Sequence, residues 1–218
     1  MTKPIILSWS GGKDSTMSLY TLKQSTEYEV VGLLTTITTA YDRISMHGVR
    51  RTLLDAQAEA LKLPVYTVEL SQQPSNEEYE SKMAAMLQTF RQQGIDTVAF
   101  GDIFLEDLKA YRIQKMQEVG MRAIFPIWGR SSDALVREFI GLGFRAVITC
   151  VDSQQLDVSF AGRMIDETLL EDLPPHVDPC GENGEFHSFV FDGPLFTTPL
   201  HVETGERVLR DERFMFCD

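Results

Sequence analysis

The sequence predicts an α/β protein built on a doubly wound parallel sheet, with a smaller α/β domain towards its C-terminal end. Short apolar runs, each followed by a turn, alternate with segments in which apolar residues recur at helical spacing. The runs are apolar on successive residues, as expected of strands that are covered on both faces. Repeated β-α-β units with right-handed crossovers produce a doubly wound sheet.

Six apolar runs are predicted to be strands. They cover residues 4–8, 30–37, 65–70, 97–100, 123–127 and 146–151. Helical stripes separate several of them. The longest stripe consists of Tyr79, Met83, Met86, Leu87 and Phe90. Gly94 and Gly120 lie where helix C-caps are expected, shortly before the next strand.

The character of the chain changes after residue 129, and we predict a domain boundary there. An ATP-binding domain would cover 1–129, and a substrate-binding and catalytic domain would cover 130–218. The second domain is predicted to begin with a helix over about 131–143, capped by Ser131 or Ser132. The last of the six strands follows this helix.

Two segments of the C-terminal part are less regular. Residues 173–196 are rich in Pro and Gly and too long for an ordinary connection, although their four phenylalanines argue for an ordered segment. The final segment is predicted to form a hairpin that turns near Thr204 and Gly205.

The composition excludes several classes of protein. With 43% hydrophobic and 24% charged residues, the chain has the balance of a soluble globular protein. It shows neither a signal peptide nor an apolar run near the roughly 20 residues of a membrane-spanning helix, so we expect a cytoplasmic protein without membrane association. The net charge of −12 argues against general nucleic-acid binding. Three scattered cysteines do not suggest a disulfide framework.

A glycine-rich turn follows the first predicted strand. It consists of Ser10, Gly11, Gly12, Lys13, Asp14 and Ser15. A strand, such a turn and a helix bring backbone N–H groups and the positive helix end towards an anion. The two glycines permit close approach of the backbone, and the serines and the lysine add donors. We therefore predict a phosphate-binding loop, the alternative being a β-α turn with Asp14 or Ser15 as the helix N-cap.

Ligands of doubly wound sheets bind outside the carboxyl ends of the strands. Gly101 and Asp102 end the fourth predicted strand, so Asp102 is a candidate for contact with a nucleotide or Mg²⁺; the competing role is that of an N-cap. Thr35 and Thr36, late in the second strand, are predicted to border an adenine through their backbone groups.

Charged residues elsewhere at this edge have two possible roles. His47, Arg50 and Arg51 begin the helix after the second strand, where they could neutralise a carboxylate or a phosphate, or remain solvated charges. Arg112 could reach a phosphate or substrate, or form an exposed ion pair. Trp128 could line the binding site or seal the domains against each other.

Three motifs together resemble the diphthine-ammonia ligase family. They are SGGKDS at 10–15, GDIFLEDLKAYR at 101–112 and DPCGENGEFHSFVFDGPLF at 178–196. This family is a PP-loop ATP pyrophosphatase subgroup of the adenine nucleotide alpha hydrolase-like proteins, which have a HUP-type fold. The likeness covers essentially the whole chain.

The resemblance implies an ATP-dependent amidation with ATP and Mg²⁺ as cofactors. A carboxylate attacks the α-phosphorus, pyrophosphate leaves, and ammonia displaces AMP from the acyl-adenylate. Lys13 and the loop donors would stabilise the leaving pyrophosphate. Asp14 and Asp102 would position the metal ion.

The late motif contributes the remaining candidate catalytic residues. Glu182, Glu185 and His187 are suited to metal binding, to ammonium recognition or to removing a proton from ammonia. The alternative is that they are turn residues that accept backbone hydrogen bonds. Cys180 is more readily explained as a packed thiol than as a nucleophile.

The late motif also leaves the acceptor open. In members that make diphthamide, the late motif resembles Glu-Gly-Gly-Glu followed by an aromatic residue and Glu. In this chain the corresponding residues 182–187 are ENGEFH. That form is similar to a bacterial branch with a suggested role in corrinoid salvage. A different function, as a sensor that binds ATP or AMP without turnover, also fits the loop. The lack of a Cys-x-x-Cys motif disfavours a role in tRNA modification or sulfur transfer. For the assembly, we consider a homodimer.

Overall fold

The computed structural model describes residues 2–218, which form two β-sheets with helices packed against them. The strands are β1 (Lys3–Ser8), β2 (Tyr28–Thr38), β3 (Arg43–Ile44), β4 (Val65–Leu70), β5 (Thr97–Ala99), β6 (Arg122–Ile124), β7 (Arg145–Asp152), β8 (Phe186–Asp192), β9 (Arg207–Arg210) and β10 (Phe214–Cys217). The α-helices are α1 (Lys13–Lys23), α2 (Arg51–Leu61), α3 (Asn76–Gln92), α4 (Glu106–Glu118), α5 (Ser132–Gly141) and α6 (Glu167–Asp172). One 3₁₀ turn covers Val158–Phe160.

The first sheet has the predicted doubly wound topology. Its parallel strands lie in the order β4-β2-β1-β5-β6, so the chain proceeds outwards from β1 in both directions. The order reverses between β1 and β5, and a crevice forms at the carboxyl ends of these two strands. The short strand β3, which the sequence did not predict, pairs antiparallel with β2 at Ile37 and Thr38.

Both faces of the first sheet are covered. Alternate residues of β1 point to opposite faces, and Ile5, Ile6 and Leu7 are all fully buried. One face packs against α1 and α2, and the other packs against α3 and α4. Burial on both faces is the physical reason for the uniformly apolar runs.

The second sheet is antiparallel, with the order β8-β7-β10-β9. The sixth predicted strand therefore does not extend the parallel pattern. β7 lies in the middle of this sheet and is buried from residue 146 to residue 152. Its apolar run indicates burial on both faces, which a central antiparallel strand can also have. The core beneath it includes Leu135, Phe139, Leu169 and Val190.

Two further predictions for the C-terminal part are corrected. The long irregular stretch contains β8, a complete strand paired with β7. The terminal hairpin exists, but it does not turn near Thr204 and Gly205. The turn between β9 and β10 lies at Asp211 and Glu212, both with the left-handed backbone conformation that usually favours glycine (φ of 52° and 54°).

The predicted helix signals are confirmed. Ser131 caps α5, since its hydroxyl accepts a hydrogen bond from the Ala134 N–H. Gly94 and Gly120 follow α3 and α4 with positive φ values of 83° and 71°. Among the helices of residues 2–218, none is both long and apolar enough to cross a bilayer.

Candidate nucleotide-binding and catalytic site

A cavity of about 660 Å³ opens at the carboxyl ends of β1, β2 and β5. The glycine-rich loop lines it through Ser10 and Asp14, and the C-terminal part contributes Glu182 and His187. Residues far apart in the chain therefore meet at the crevice that the strand order predicts.

The glycine-rich loop is held tightly against β8. Gly11 has a φ of +79°, and a Cβ atom on Gly12 would lie 2.9 Å from the carbonyl oxygen of Ser188. The Val190 N–H donates to the Gly11 carbonyl at 2.9 Å, and the Lys13 N–H donates to the Ser188 hydroxyl at 3.2 Å. The two halves of the chain are thus joined at the loop itself.

The N-cap residue of α1 has no side chain, and the Ser188 hydroxyl accepts a hydrogen bond from the first N–H group of the helix, that of Lys13. Gly12 occupies the N-cap position, so neither Asp14 nor Ser15 has the competing capping role. The Ser10 and Ser15 hydroxyl oxygens lie 3.1 Å apart beside the loop. The first turn of α1 consequently offers its remaining N–H groups and nearby hydroxyls to an anion.

Gln57 supports the loop from below, a role that was not predicted from the sequence. Its amide is fully buried and donates to the carbonyl oxygens of Gly11 (2.9 Å) and Val190 (2.6 Å). Its oxygen accepts a hydrogen bond from the Trp9 indole at 2.8 Å. The signal that the sequence offered was a glutamine at helical spacing from Leu54, on the inward face of α2.

Lys13 places a fixed positive charge beneath the loop. Its side chain is 2% exposed, and its ammonium lies 2.7 Å from the Asp14 carboxylate and donates to the Cys180 carbonyl. Burial alone would lower the pKa of Lys13, but the nearby groups, foremost the Asp14 carboxylate and also Cys180 and Asp178, together outweigh that effect and the pKa is raised. Lys13 therefore stays charged at neutral pH.

Gly101 and Asp102 lie on the opposite side of the crevice. A Cβ atom on Gly101 would lie 3.1 Å from the backbone of Asp14 and Ser15, so the two loops are in close contact. Leu105 is the N-cap of α4, and Asp102 therefore does not have the alternative capping role. Asp102 is buried and lines the cavity.

Arg112 reaches back into the cavity instead of forming an exposed pair. Its Nε atom lies 2.7 Å from Oδ2 of Asp102, and its guanidinium lies 4.5 Å from the centroid of the Phe100 ring. Neither of these two charged atoms has a well-aligned hydrogen bond within residues 2–218. The pair is thus a partly buried charge cluster at the cavity wall.

The two glutamates of the late motif occupy different environments. Glu182 lines the cavity and accepts a hydrogen bond from the Ile103 N–H at 2.7 Å. Burial raises the pKa of Glu182 to about 7. Glu185 is 2% exposed, and its carboxylate accepts hydrogen bonds from Asp178 and Asn183. It does not line the cavity, and its contacts match the alternative in which it shapes the turn.

His187 lines the cavity, and its ring packs against that of His47 at a centroid distance of 4.3 Å. Burial, together with the positive charge of Lys13, lowers the pKa of His187 to about 4. The same two effects and the His187 ring lower the pKa of His47 well below its ordinary value. Both imidazoles are therefore neutral at physiological pH.

Arg50 and Arg51 do not join this site. Arg50 pairs with the Asp218 carboxylate, and Arg51 pairs with Asp42 and Glu69 at 2.7 Å each. Neither arginine lines the 660 Å³ cavity. Of His47, Arg50 and Arg51, which were expected together at the start of α2, only His47 contributes to the cavity wall.

Four other candidates are placed as follows. Thr35 is buried and lines the cavity, and Thr36 lies beside it. Trp128 does not line the cavity, and its ring centroid lies 3.8 Å from the Lys109 ammonium. Burial raises the pKa of the Cys180 thiol to about 12, which keeps it protonated and unreactive.

Asp14, which belongs to the loop, and Asp102 both line the cavity. Within residues 2–218, no group of three or more His, Cys, Asp or Glu side chains forms a ready metal cluster. Mg²⁺ in phosphate-binding sites commonly uses one or two carboxylates together with phosphate oxygens and water. The two aspartates provide the carboxylates of such a site, and Arg112 contacts one oxygen of Asp102.

Comparison with known proteins gives a consistent result. Residues 2–123 match the N-terminal domain of diphthamide synthase, and residues 131–217 match its C-terminal domain. The chain is 26% identical to diphthine–ammonia ligase of Mus musculus over 78% of this chain and 67% of the relative. It is also 26% identical to that of Danio rerio over 93% of this chain and 88% of the relative. The chain therefore belongs to the diphthamide synthase family and is an ATP-dependent ligase that forms an amide.

Proposed function

We propose that the chain cleaves ATP to AMP and pyrophosphate while it joins ammonia to the carboxylate of diphthine. One observation carries the proposal: a single cavity contains both the phosphate-binding features of the glycine-rich loop and the titratable side chains of the late motif. We choose diphthine as the acceptor because the chain is similar to diphthine–ammonia ligases. A carboxylate and an α-phosphate bound in that cavity would lie next to each other.

The loop end of the cavity would hold the phosphates. The three hydrogens of the Lys13 ammonium face both carboxylate oxygens of Asp14 and the Cys180 carbonyl, and Lys13 does not line the cavity, so it would act on the phosphates through its charge. Because the ammonium is already fixed, it would stabilise the charge on departing pyrophosphate without reorganising. The N-terminus of α1 adds N–H donors for the same charge.

The nucleoside would occupy the part of the cavity beside β2 and β5. Leu34, Val98 and Phe100 form an apolar wall there, and Thr35 lies in the C-terminal half of β2. An adenine ring can pack against the apolar wall, while the backbone of Thr35 offers polar groups to its edge.

Mg²⁺ would be held by Asp14 and Asp102. When bound, it would neutralise charge on the phosphate oxygens. Asp102 is oriented for this role by Arg112, which lies 2.7 Å away. The metal assignment rests on these two carboxylates and their position beside the phosphate loop.

The late motif would act on the acceptor and the nucleophile. The acceptor carboxylate attacks the α-phosphorus and releases pyrophosphate, and ammonia then attacks the acyl carbon and releases AMP. Glu182 and His187 line the cavity where this second step would take place. Glu185 supports the step indirectly, because its hydrogen bonds maintain the turn that carries Glu182.

Product analysis tests this function. With ATP, Mg²⁺, ammonium and diphthine, AMP, pyrophosphate and the amide should form in equal amounts. Lys13→Met should lower the rate by about 100-fold or more, since it removes a fixed charge at the leaving group. Lys3→Met is the matched control, because Lys3 is exposed and pairs with Glu27 on the surface.

Different outcomes would contradict the proposal in different ways. Formation of ADP and phosphate would exclude adenylation. Saturable nucleotide binding without turnover would favour a sensor. Turnover with another carboxylate but not with diphthine would keep the amide ligase and exclude this acceptor. The domain boundary after residue 129, a homodimer and a cytoplasmic location remain predictions that this assay does not address.

A further inference from the structure

The His47–His187 pair connects the two halves of the chain at the cavity. His47 lies between β3 and α2, and His187 lies on β8. Their ring centroids are 4.3 Å apart, and the ring planes are inclined by 42°. The Thr149 hydroxyl lies 3.4 Å from the backbone carbonyl oxygens of both histidines, which ties the two segments together.

One nitrogen of this pair has no protein partner. Nδ1 of His47 is buried and makes no hydrogen bond within residues 2–218, yet His47 lines the cavity. Leaving a buried polar atom unpaired costs free energy, and such atoms recur at functional sites. A small polar ligand with an N–H group would satisfy this nitrogen.

The charges around the pair select what that ligand can be. Lys13 is the charged group whose field acts on both rings, and its own partner is the Asp14 carboxylate. The positive charge of Lys13 and burial keep the imidazoles neutral, so each ring retains one unprotonated nitrogen. Such a nitrogen can accept a hydrogen bond from an N–H group of ammonia.

On the basis of the proposed function, we propose that His47 and His187 form the ammonia-binding pair and that His47 is a catalytic residue. Ammonia would donate a hydrogen bond to a ring nitrogen of the pair while its lone pair attacks the acyl carbon. The new C–N bond leaves a positively charged nitrogen, which transfers one proton to His47. The C–O bond to AMP then breaks, and the proton passes to solvent.

His47→Gln tests the proposal, because glutamine can hydrogen-bond but cannot take up the proton. Acceptor-dependent exchange of labelled pyrophosphate into ATP reports adenylation alone, and it should stay within about threefold of the wild type. Amide formation from ammonium should fall by about 100-fold, the size of a general-base contribution. Hydroxylamine, which is largely unprotonated at neutral pH, should restore much of the lost rate.

Controls distinguish the possible failures. His201→Gln changes an exposed histidine, and both reactions should be unaffected. If His47→Gln lowers exchange and amide formation equally, or leaves both unchanged, the assignment of His47 is wrong. A wild-type protein without exchange would refute the proposed function itself. If His47→Gln unfolds at a lower temperature, His47→Asn provides the same comparison in a smaller side chain.

Discussion

At the scale of single residues, the glycine-rich loop depends on the absence of a side chain at Gly12. The nearest atom to an added Cβ is the Ser188 carbonyl oxygen, which belongs to the backbone of β8 and cannot rotate away. Gly12→Ala should therefore separate the loop from β8. We expect at least a tenfold loss of ATP turnover and a decrease of about 1–3 kcal/mol in the free energy of unfolding.

Gly141→Ala is the matched control for that substitution. Gly141 lies in α5, and no atom of another described segment would lie within 4 Å of its added Cβ. Activity should be unchanged and stability should rise by about 0.4–1 kcal/mol. Denaturant unfolding and steady-state turnover measure both effects. Equal behaviour of the two variants would show that the contact with β8 is unimportant.

Glu182 makes stability depend on pH. Burial raises its pKa from the ordinary value of 4.5 to about 7, so between these pH values the unfolded chain ionises this group more readily than the folded chain. Its stabilising contribution is fully present below pH 4.5 and is lost as the pH rises to 7. Relative to Glu182→Gln, the ligand-free wild type should lose a few degrees of Tm over this interval.

Thermal unfolding of both proteins at several pH values checks this expectation. Below pH 4.5 and above pH 7 the difference in Tm should be constant. If the Tm values of the two proteins changed with pH in parallel over the whole range, Glu182 would not be buried in the ligand-free protein. A wild type that loses Tm relative to Glu182→Gln as the pH falls would contradict this expectation.

The residue types of the site were predictable from sequence, but their individual partners were not. Glu182 and Glu185 are three positions apart in the same motif, yet one lines the cavity and the other is enclosed by the turn. Gln57 of α2 connects Gly11 of the loop to Trp9 and to Val190 of β8 through three hydrogen bonds. Such roles depend on contacts between distant segments, which the local pattern does not contain.

At the scale of elements, a buried carboxylate joins β7 to the hairpin of β9 and β10 within the second sheet. Asp152 ends β7 and is 1% exposed, and it accepts hydrogen bonds from Gln154, Gln155 and Arg213. Asp152→Ala removes all of these contacts at once. We expect a decrease in Tm of about 4–8 °C, because several buried hydrogen bonds are lost.

Asp172→Ala is the comparison for this element. Asp172 is 53% exposed and pairs with Arg163 at the surface. Solvent screens such pairs, so the Tm should change by less than about 2 °C. Differential scanning calorimetry measures both shifts. A smaller effect for Asp152 than for Asp172 would refute the role of the buried carboxylate in joining β7 to the hairpin.

Elements with strong apolar patterns were predictable, and those among Gly and Pro were not. The parallel strands and α5 follow their sequence patterns closely. β8 was not predicted because glycines and prolines flank it in the sequence, although its own residues are largely buried. The hairpin turn was predicted near Gly205 because glycine readily adopts a positive φ. In the structure the turn lies at Asp211 and Glu212, which have a positive φ although neither is glycine.

At the scale of the whole molecule, the site exists only because the two sheets meet at the glycine-rich loop. The hydrogen bond from the Lys13 N–H to the Ser188 hydroxyl joins residues that are 175 positions apart. The doubly wound topology predicts which strand ends carry the ligand, but not how a second sheet packs there. This packing brings Glu182 and His187 to the phosphate loop.

Oxygen transfer tests the central claim, adenylation of a carboxylate at this loop, most directly. Diphthine labelled with ¹⁸O in its carboxylate should be converted in the presence of ATP, Mg²⁺ and ammonium, and the nucleotide product analysed by mass spectrometry. Adenylation of the carboxylate predicts one labelled oxygen in each AMP and unlabelled pyrophosphate. Labelled inorganic phosphate formed together with ADP would contradict it.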